Sequence, residues 1–295
     1  MCSSDLHDTG QTSDPDVYAV GDAVEKFDSV GGGTSLIALA NVANRQGRRV
    51  ADHIAGLEVH AAPSLGTAIV KVFESTVAMT GWNQRRLRAA GREFHTVHSH
   101  PMNHAGYYPG AEPMALELLF APDGTILGAQ GVGGSGVDKR IDVIATAMTG
   151  GISAPRLADL ELAYAPPFSS AKDPVNMLGY MAENVLSGDC DVVEPDEIAA
   201  LLDSGWTLLD VRTAAEHAAG NIPGGRNVPL DGLREALPSL GDGPFLVYCQ
   251  VGQRGHTAAA LLHERGVRAR NLDGGFTTWK AWTAATTGDL APLLG

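Results

Sequence analysis

The order of apolar and polar positions divides the chain into two textures. Val17-Tyr18-Ala19-Val20 predicts a short strand ending at Gly21-Asp22. After the turn Gly31-Gly32-Gly33, the spacing of Ile37, Leu39, Val42 and Val50 predicts a helix over 35–54. β-Branched residues crowd 67–77, a helix is predicted over 82–89, and 93–97 reads as extended. Strands over 115–120 and 126–131, joined by Pro122-Asp123-Gly124, form a predicted hairpin. Helices are predicted over 137–148, 153–162 and 175–186. Antiparallel strands followed by helices predict an α+β domain.

At Ser187-Gly188-Asp189-Cys190-Asp191 the pattern resets, which places a domain boundary there. Beyond it the predicted order is helix 195–203, strand 207–211, helix 214–218, a short segment at Asn227-Val228, helix 230–237, strand 244–249, helix 255–265, strand 269–272 and helix 276–282. Strands alternating with helices predict a parallel sheet covered on both faces. A chain of 295 residues is long enough for two such cores.

Composition then excludes several function classes. The net charge of −13 leaves no basic footprint for nucleic acid or an anionic membrane. No run of about 18 apolar residues predicts a membrane-spanning helix. The segment before Val17 holds Asp5, His7, Asp8, Asp14 and Asp16 without an apolar stretch, unlike a signal peptide. Cys2, Cys190 and Cys249 are too dispersed for a disulfide framework and suit a reducing compartment, so a cytoplasmic location is expected.

Candidate chemistry concentrates at Cys249. The apolar strand Phe245-Leu246-Val247-Tyr248 runs directly into Cys249-Gln250-Val251-Gly252-Gln253-Arg254, before a helix near Gly255. A thiol at the carboxyl end of a parallel strand lies where α/β sheets bind ligands. A loop turning into a helix N-terminus aims N–H groups and a positive dipole at an anion. Such a cradle stabilises a thiolate, and Arg254 adds a fixed charge. The same cradle would suit a persulfide or a phosphate, so sulfur transfer and phosphate ester hydrolysis both remain open. The loop of six residues is small, and no nearby Asp offers a general acid, which favours sulfur.

Asp210-Val211-Arg212, Glu216-His217, Ala219-Gly220-Asn221-Ile222-Pro223-Gly224, Asn227-Val228-Pro229-Leu230, the Cys249–Arg254 loop and Leu272-Asp273-Gly274-Gly275-Phe276 with Trp279 together resemble a single rhodanese domain over about 192–285. The resemblance implies that Cys249 accepts sulfane sulfur as a persulfide and passes it to a thiophilic acceptor. Arg254 would assist, and Gln250, Val251, Gly252, Gln253 and Gly255 would form the anion cradle. Many relatives carry His where this chain has Asn221, in a turn outside the loop. Asp210 and Arg212 read as structural residues at the end of a central strand.

The first two-thirds carries its own series of segments: 17–23, 39–48, 66–73, 104–111, 136–142 and 164–174. These resemble the last FAD-contacting segment and the dimerisation domain of flavin-dependent pyridine nucleotide-disulfide oxidoreductases, in the branch of coenzyme A-disulfide reductases fused to a C-terminal rhodanese. The implied fold is an α+β dimerisation domain of the flavin disulfide reductase type, followed by an α/β rhodanese domain with a parallel sheet. The expected organisation is an unpatterned leader over 1–15, a remnant of an FAD-binding domain over 16–62, the dimerisation domain over 63–187 and the rhodanese domain over 188–295.

The resemblance further implies that Gly21 and Asp22 contact FAD, Asp22 through the ribityl chain. It places Tyr108 and Tyr164 in the partner subunit's thiol site of a homodimer. FAD and NAD(P)H would serve the complete protein in reducing CoA disulfide, CoA persulfide or polysulfide, with sulfane-sulfur donors and CoA thiol or persulfide as partners. The two dinucleotide motifs and the redox cysteine of that family do not precede Gly21, so the chain reads as the C-terminal portion of a longer enzyme that binds no cofactor tightly by itself. The alternative is a non-catalytic dimerisation module with a sulfur-binding or redox-sensing appendage.

Two further patterns resemble sites. Gly131-Val132-Gly133-Gly134-Ser135-Gly136 fits a dinucleotide fingerprint, but no second parallel strand is predicted after its helix. His95, His98, His100 and His104 are dense, and alternation puts His98 and His100 on one strand face. They lack a Cys or acidic partner at ligand spacing, so hydrogen-bonded or solvated histidines are expected rather than a metal site.

Overall fold

The structure, a computed structural model, describes residues 9–287, so Cys2 and the start of the leader lie outside the described residues. The chain forms two compact units. One comprises the residues up to Glu93 together with Leu127–Gly151, and the other Phe94–Ile126 together with Ile152 onward.

In the first unit the helix Ala40–Ile54 buries Val42, Gln46 and Val50 along one face. The Gln46 Oε1 accepts from the Gly21 N–H at 2.9 Å, which fixes a turn where Gly21 has a left-handed φ of 73°. Two expectations need correction here. The predicted strand over 17–20 does not form: Tyr18 makes an isolated bridge to Gln11, because the Val17 N–H closes a turn onto the Asp14 carbonyl. The predicted helix over 35–54 begins at Ala40, because Thr34–Ser35 pairs antiparallel with Lys26–Phe27.

The β-branched run 67–77 divides at Phe73, whose φ is 51°, into strands Ala68–Val72 and Ser75–Gly81. Ser75–Gly81 pairs antiparallel with Ile126–Gly133 as well. The fingerprint-like glycines therefore have structural duties. Gly131 and Gly133 lie opposite Ala78 and Thr76 in that ladder, and Gly136, with φ 82°, caps the helix Val137–Thr149.

The second unit contains strand His95–Ser99, paired antiparallel with Met114–Phe120. The turn predicted at Pro122-Asp123-Gly124 is present, with Asp123 Oδ1 accepting from the Thr125 N–H at 2.9 Å. The helix Pro174–Ser187 starts as its sequence dictates: Asp173 caps it, its Oδ1 accepting from Val175 N–H at 3.0 Å, and Pro174 occupies the first turn. The helix predicted over 153–162 is instead the short 3-10 turn Pro155–Asp159. Asn176 Nδ2 donates to the carbonyls of Leu157 and Leu160, each at 2.9 Å, and this bonding ends the turn where the chain becomes extended at Leu160.

The remainder of this unit is a five-stranded parallel sheet in the order Arg226–Asn227, Thr207–Asp210, Phe245–Tyr248, Ala269–Leu272, Val192–Val193. Its central strand Phe245–Tyr248 is buried throughout. Side chains alternate across it as the pleat requires. Phe245 and Val247 pack with Leu209, Leu233, Ala258 and Leu262, whereas Leu246 and Tyr248 pack with Val193, Ile198, Leu208 and Leu272.

Two glycines on helices make opposite predictions. A Cβ at Gly179 would collide with the backbone of Leu157 and Ala158, whereas one at Gly47 meets nothing within 4 Å. Gly179→Ala is expected to destabilise the protein by about 1–3 kcal/mol through overpacking. Gly47→Ala is expected to stabilise it by about 0.5–1 kcal/mol. Urea unfolding of both variants beside the parent measures the sign and size of each.

Candidate functional site

Cys249 follows the last residue of the central strand and is fully buried. The loop after it enters the helix Gln253–His263 through Gly252, whose φ of 93° only glycine adopts readily. The N-terminal end of the helix Gly275–Thr287 closes on the loop from one side. The Phe276 N–H donates to the Cys249 carbonyl at 2.8 Å, and the Thr277 N–H donates to the Gln250 carbonyl at 3.0 Å. A trans peptide points its N–H opposite to its carbonyl. Holding these two carbonyls therefore turns the N–H groups of Gln250 and Val251 away from that helix. Two glycines permit the close approach: a Cβ at Gly275 would strike the Cys249 carbonyl, and one at Gly255 would strike the Asn271 side chain.

Arg212 braces the same loop from the neighbouring strand. Buried with Asp210, it donates to both carboxylate oxygens, Nε to Oδ1 at 3.0 Å and Nη2 to Oδ2 at 2.8 Å. It also donates to the Gln250 Oε1 at 3.2 Å and to the Gly220 carbonyl at 2.7 Å. Its guanidinium lies 4.2 Å from the centre of the Phe276 ring. Burial pushes the Asp210 carboxyl up, but hydrogen bonds from Arg212 and His217 hold it below the usual range. The expected structural role of Asp210 and Arg212 thus extends to the position of Gln250, whose Nε2 in turn donates to Thr277 Oγ1 at 3.0 Å.

Arg254 stands at the helix end of the loop as expected, but its charge is shared. Nη1 and Nη2 reach the two Glu216 carboxylate oxygens at 2.9 and 2.6 Å, a bidentate pair. Arg254 holds the Glu216 carboxyl down at about 2. The Arg254 guanidinium is itself raised, chiefly by Glu216 and further by Cys249. Glu216 also forms a capping box with Thr213 on helix Ala214–Ala218, which orients it. The sequence signal for this partner was the T-x-x-E box. Its meaning for Arg254, 38 residues away, came only from the folded chain.

The other candidate residues lie apart from this loop in the sequence. Gly21 and Asp22 occupy a 3-10 turn with the Asp22 side chain exposed. A carboxylate on a turn fits a hydroxyl partner. Tyr164 and Tyr108 are both partly exposed. The hydroxyl of Tyr164 lies 3.3 Å from that of Tyr107, while Tyr108 packs edge-on to His104. Sequence reasoning missed Tyr107. Cys190 is buried, and desolvation followed by nearby Asp273 and Asp191 pushes its thiol up to about 11. A cavity of about 500 Å³ has Cys190, His100, Val251, Gly252, Gln253 and Asp273 in its wall. The four histidines find separate partners: His95 packs on Phe120, His98 pairs with Asp273, His100 bonds Thr278, and His104 lies against the Ala105 carbonyl. Among the described residues no group of three His, Cys, Asp or Glu could hold a metal ion, and no helix is long and apolar enough to cross a membrane.

Comparison with known proteins agrees with both halves of this architecture. Residues 67–174 match the family "pyridine nucleotide-disulphide oxidoreductase, dimerisation domain", and residues 194–281 match the rhodanese-like domain. The chain is similar to the reduced Bacillus anthracis CoADR-RHD structure, with 45% identity, a TM-score of 0.91, and coverage of 94% of this chain and 50% of that one. It is similar to an NAD-dependent persulfide reductase from A. fulgidus, with 34% identity, a TM-score of 0.85, and coverage of 93% and 50%. A coenzyme A disulfide reductase of Staphylococcus epidermidis is 35% identical over 175 residues, 59% of this chain and 40% of that protein. The chain spans half or less of the length of these relatives. It joins an α+β domain that matches the dimerisation domain of the pyridine nucleotide-disulphide oxidoreductases to an α/β rhodanese-like domain with a parallel sheet.

Proposed function

We propose that this chain transfers sulfane sulfur through a Cys249 persulfide. The observation that carries the reading is the buried Cys249 at the carboxyl end of the central strand, under a loop whose carbonyls are tied back by the helix Gly275–Thr287. In the forward step the Cys249 thiolate attacks the outer sulfur of a donor such as thiosulfate. The donor S–S bond breaks, and sulfite leaves with the bonding pair. An acceptor thiolate then attacks the terminal sulfur of the Cys249 persulfide, carries it away as a new persulfide and returns Cys249 as thiolate. No net oxidation occurs. The N–H groups of Gln250, Val251, Gly252, Gln253 and Gly255 would face the persulfide charge, and the Arg254 guanidinium would attract the anionic donor.

In this proposal the rhodanese domain occupies 188–295, the dimerisation domain 63–187 and an FAD-domain remnant 16–62, in a cytoplasmic protein that forms homodimers. CoA thiol or CoA persulfide is the proposed acceptor or product, supported by the relatives' names. FAD and NAD(P)H, when bound in the whole protein, would supply the electrons that cleave a disulfide or persulfide. Asp22 would accept hydrogen bonds from the ribityl hydroxyls, and Tyr108 and Tyr164 would reach the thiol site of the partner subunit.

The purified chain is expected to transfer sulfur from thiosulfate to a thiol, and Cys249→Ser to lose that turnover; equal rates for the two proteins would refute the persulfide route. Arg254→Met is expected to raise the KM for thiosulfate about tenfold or more, since it removes a charge-assisted contact, with a smaller change in kcat in steady-state assays. The purified chain is also expected to carry far less than one FAD per chain, read from its visible absorption spectrum.

A further inference from the structure

His98 lies on the strand His95–Ser99 and His100 directly follows it, outside the rhodanese-like segment, and both grip the segment that closes over Cys249. The main-chain N–H of His98 donates to Asp273 Oδ1 at 3.0 Å, and its ring Nδ1 lies 2.7 Å from Asp273 Oδ2. Two residues on, the His100 Nε2 lies 2.7 Å from the Thr278 Oγ1. Asp273 is almost wholly buried, and its own N–H is held by the Val193 carbonyl at 2.9 Å. Between Asp273 and Thr278 run Gly274 and Gly275, each with φ 62°, then Phe276 and Thr277, whose N–H groups hold the Cys249 and Gln250 carbonyls. A Cβ on Gly274 would come within 3.0 Å of the His98 Cβ, so the turn lies directly against this histidine. Both ends of the segment that shapes the sulfur loop are thus anchored by the strand His95–Ser99 and the residue that follows it.

We infer that His98 is a positioning residue for Cys249: through its double contact with Asp273 it fixes the Gly274-Gly275 turn, and with it the N–H groups that orient the Cys249–Arg254 loop. This inference rests on the proposed sulfur-transfer role of that loop. Its chemistry is charge-assisted. Burial works to lower the ring's pKa, but the Asp273 carboxylate, with Glu117 and Glu194 adding, holds it up at about 9, so His98 is a cation at neutral pH. Its Nε2 faces Glu117 on the paired strand at 3.6 Å. The other titratable neighbours are His100, held down at about 4 by burial and then by the His98 charge, and Cys190, which shares Asp273. Because the ring's pKa is raised on folding, its contribution is complete below about 6.5 and is lost as pH rises through about 9. Above that pH the buried Asp273 loses its counter-charge.

The test uses the full chain with His98→Asn and Asp273→Asn, followed by two readouts from pH 6 to 10.5. One is thiosulfate-to-thiol transfer, and the other is the rate of Cys249 alkylation by iodoacetamide, which does not depend on sulfur transfer. Taking the ratio of parent to variant at each pH removes the pH dependence the two proteins share. At pH 7 the kcat ratio is expected to be about tenfold with KM changed little, since a displaced loop misorients the reacting groups. The ratio should collapse toward one above about pH 9 in both readouts. Asp273→Asn keeps a side chain of the same shape, and should show the same loss at pH 7 if it melts as a folded protein. Ratios near one at pH 7, or a ratio that stays high through pH 10.5, would overturn the inference. Loss of all sulfur transfer in the parent, with the alkylation ratio behaving as expected, would instead count against the persulfide route alone.

Discussion

The buried ion pair of Asp210 and Arg212 is the constraint on which the sulfur loop depends. Both side chains are removed from water, a costly step that is repaid only if every donor and acceptor finds a partner. Here they do so by recruiting the surroundings. Asp210 takes Arg212 and His217, while Arg212 spends its remaining donors on the Gly220 carbonyl and the Gln250 side chain. Breaking such a pair by removing one member costs about 3–5 kcal/mol because the other is left buried and charged. The pair is therefore satisfied only when the segments around Gly220 and Gln250 are in place, so the folding of the sheet and the shape of the loop are a single problem.

From that pair the ordering spreads by contact. Gln250 passes it to Thr277, and Phe276 receives the Arg212 guanidinium on its ring face. The helix Gly275–Thr287 then holds the loop carbonyls; glycines at 255 and 275 are required because side chains there would occupy the space of Asn271 or of neighbouring backbone, and glycine at 252 because of its left-handed φ. Arg254, which the loop presents from its far end, is balanced by Glu216, so the cradle owes its attraction for anions to main-chain N–H groups as well as to a guanidinium shared with a carboxylate.

Much of this was legible beforehand. The strand running into Cys249, the small loop and the helix after it follow from apolar continuity and glycine placement, and the parallel sheet follows from strand–helix alternation. The readings that failed did so for local reasons with tertiary causes. Val17–Val20 had strand composition but no long partner, Ser35 was drawn into a ladder with Lys26, and Asn176 ended the turn after Pro155. Glu216 and His98 were visible only as part of the Glu216-His217 segment and as one of four clustered histidines. Their partners lie 38 and 175 positions away, beyond any periodic pattern.

By itself the sequence determined which residues could do chemistry and where the regular elements run, because periodicity, turn residues and motif spacing are local properties of the chain. Tertiary structure decided which charges meet. That Arg254 is paired, that Asp273 is countered by a histidine from a different strand, and that Cys190 lies buried near the same carboxylate are outcomes of packing. An ion pair or a buried thiol depends on the distance and solvent exclusion that only the folded chain sets.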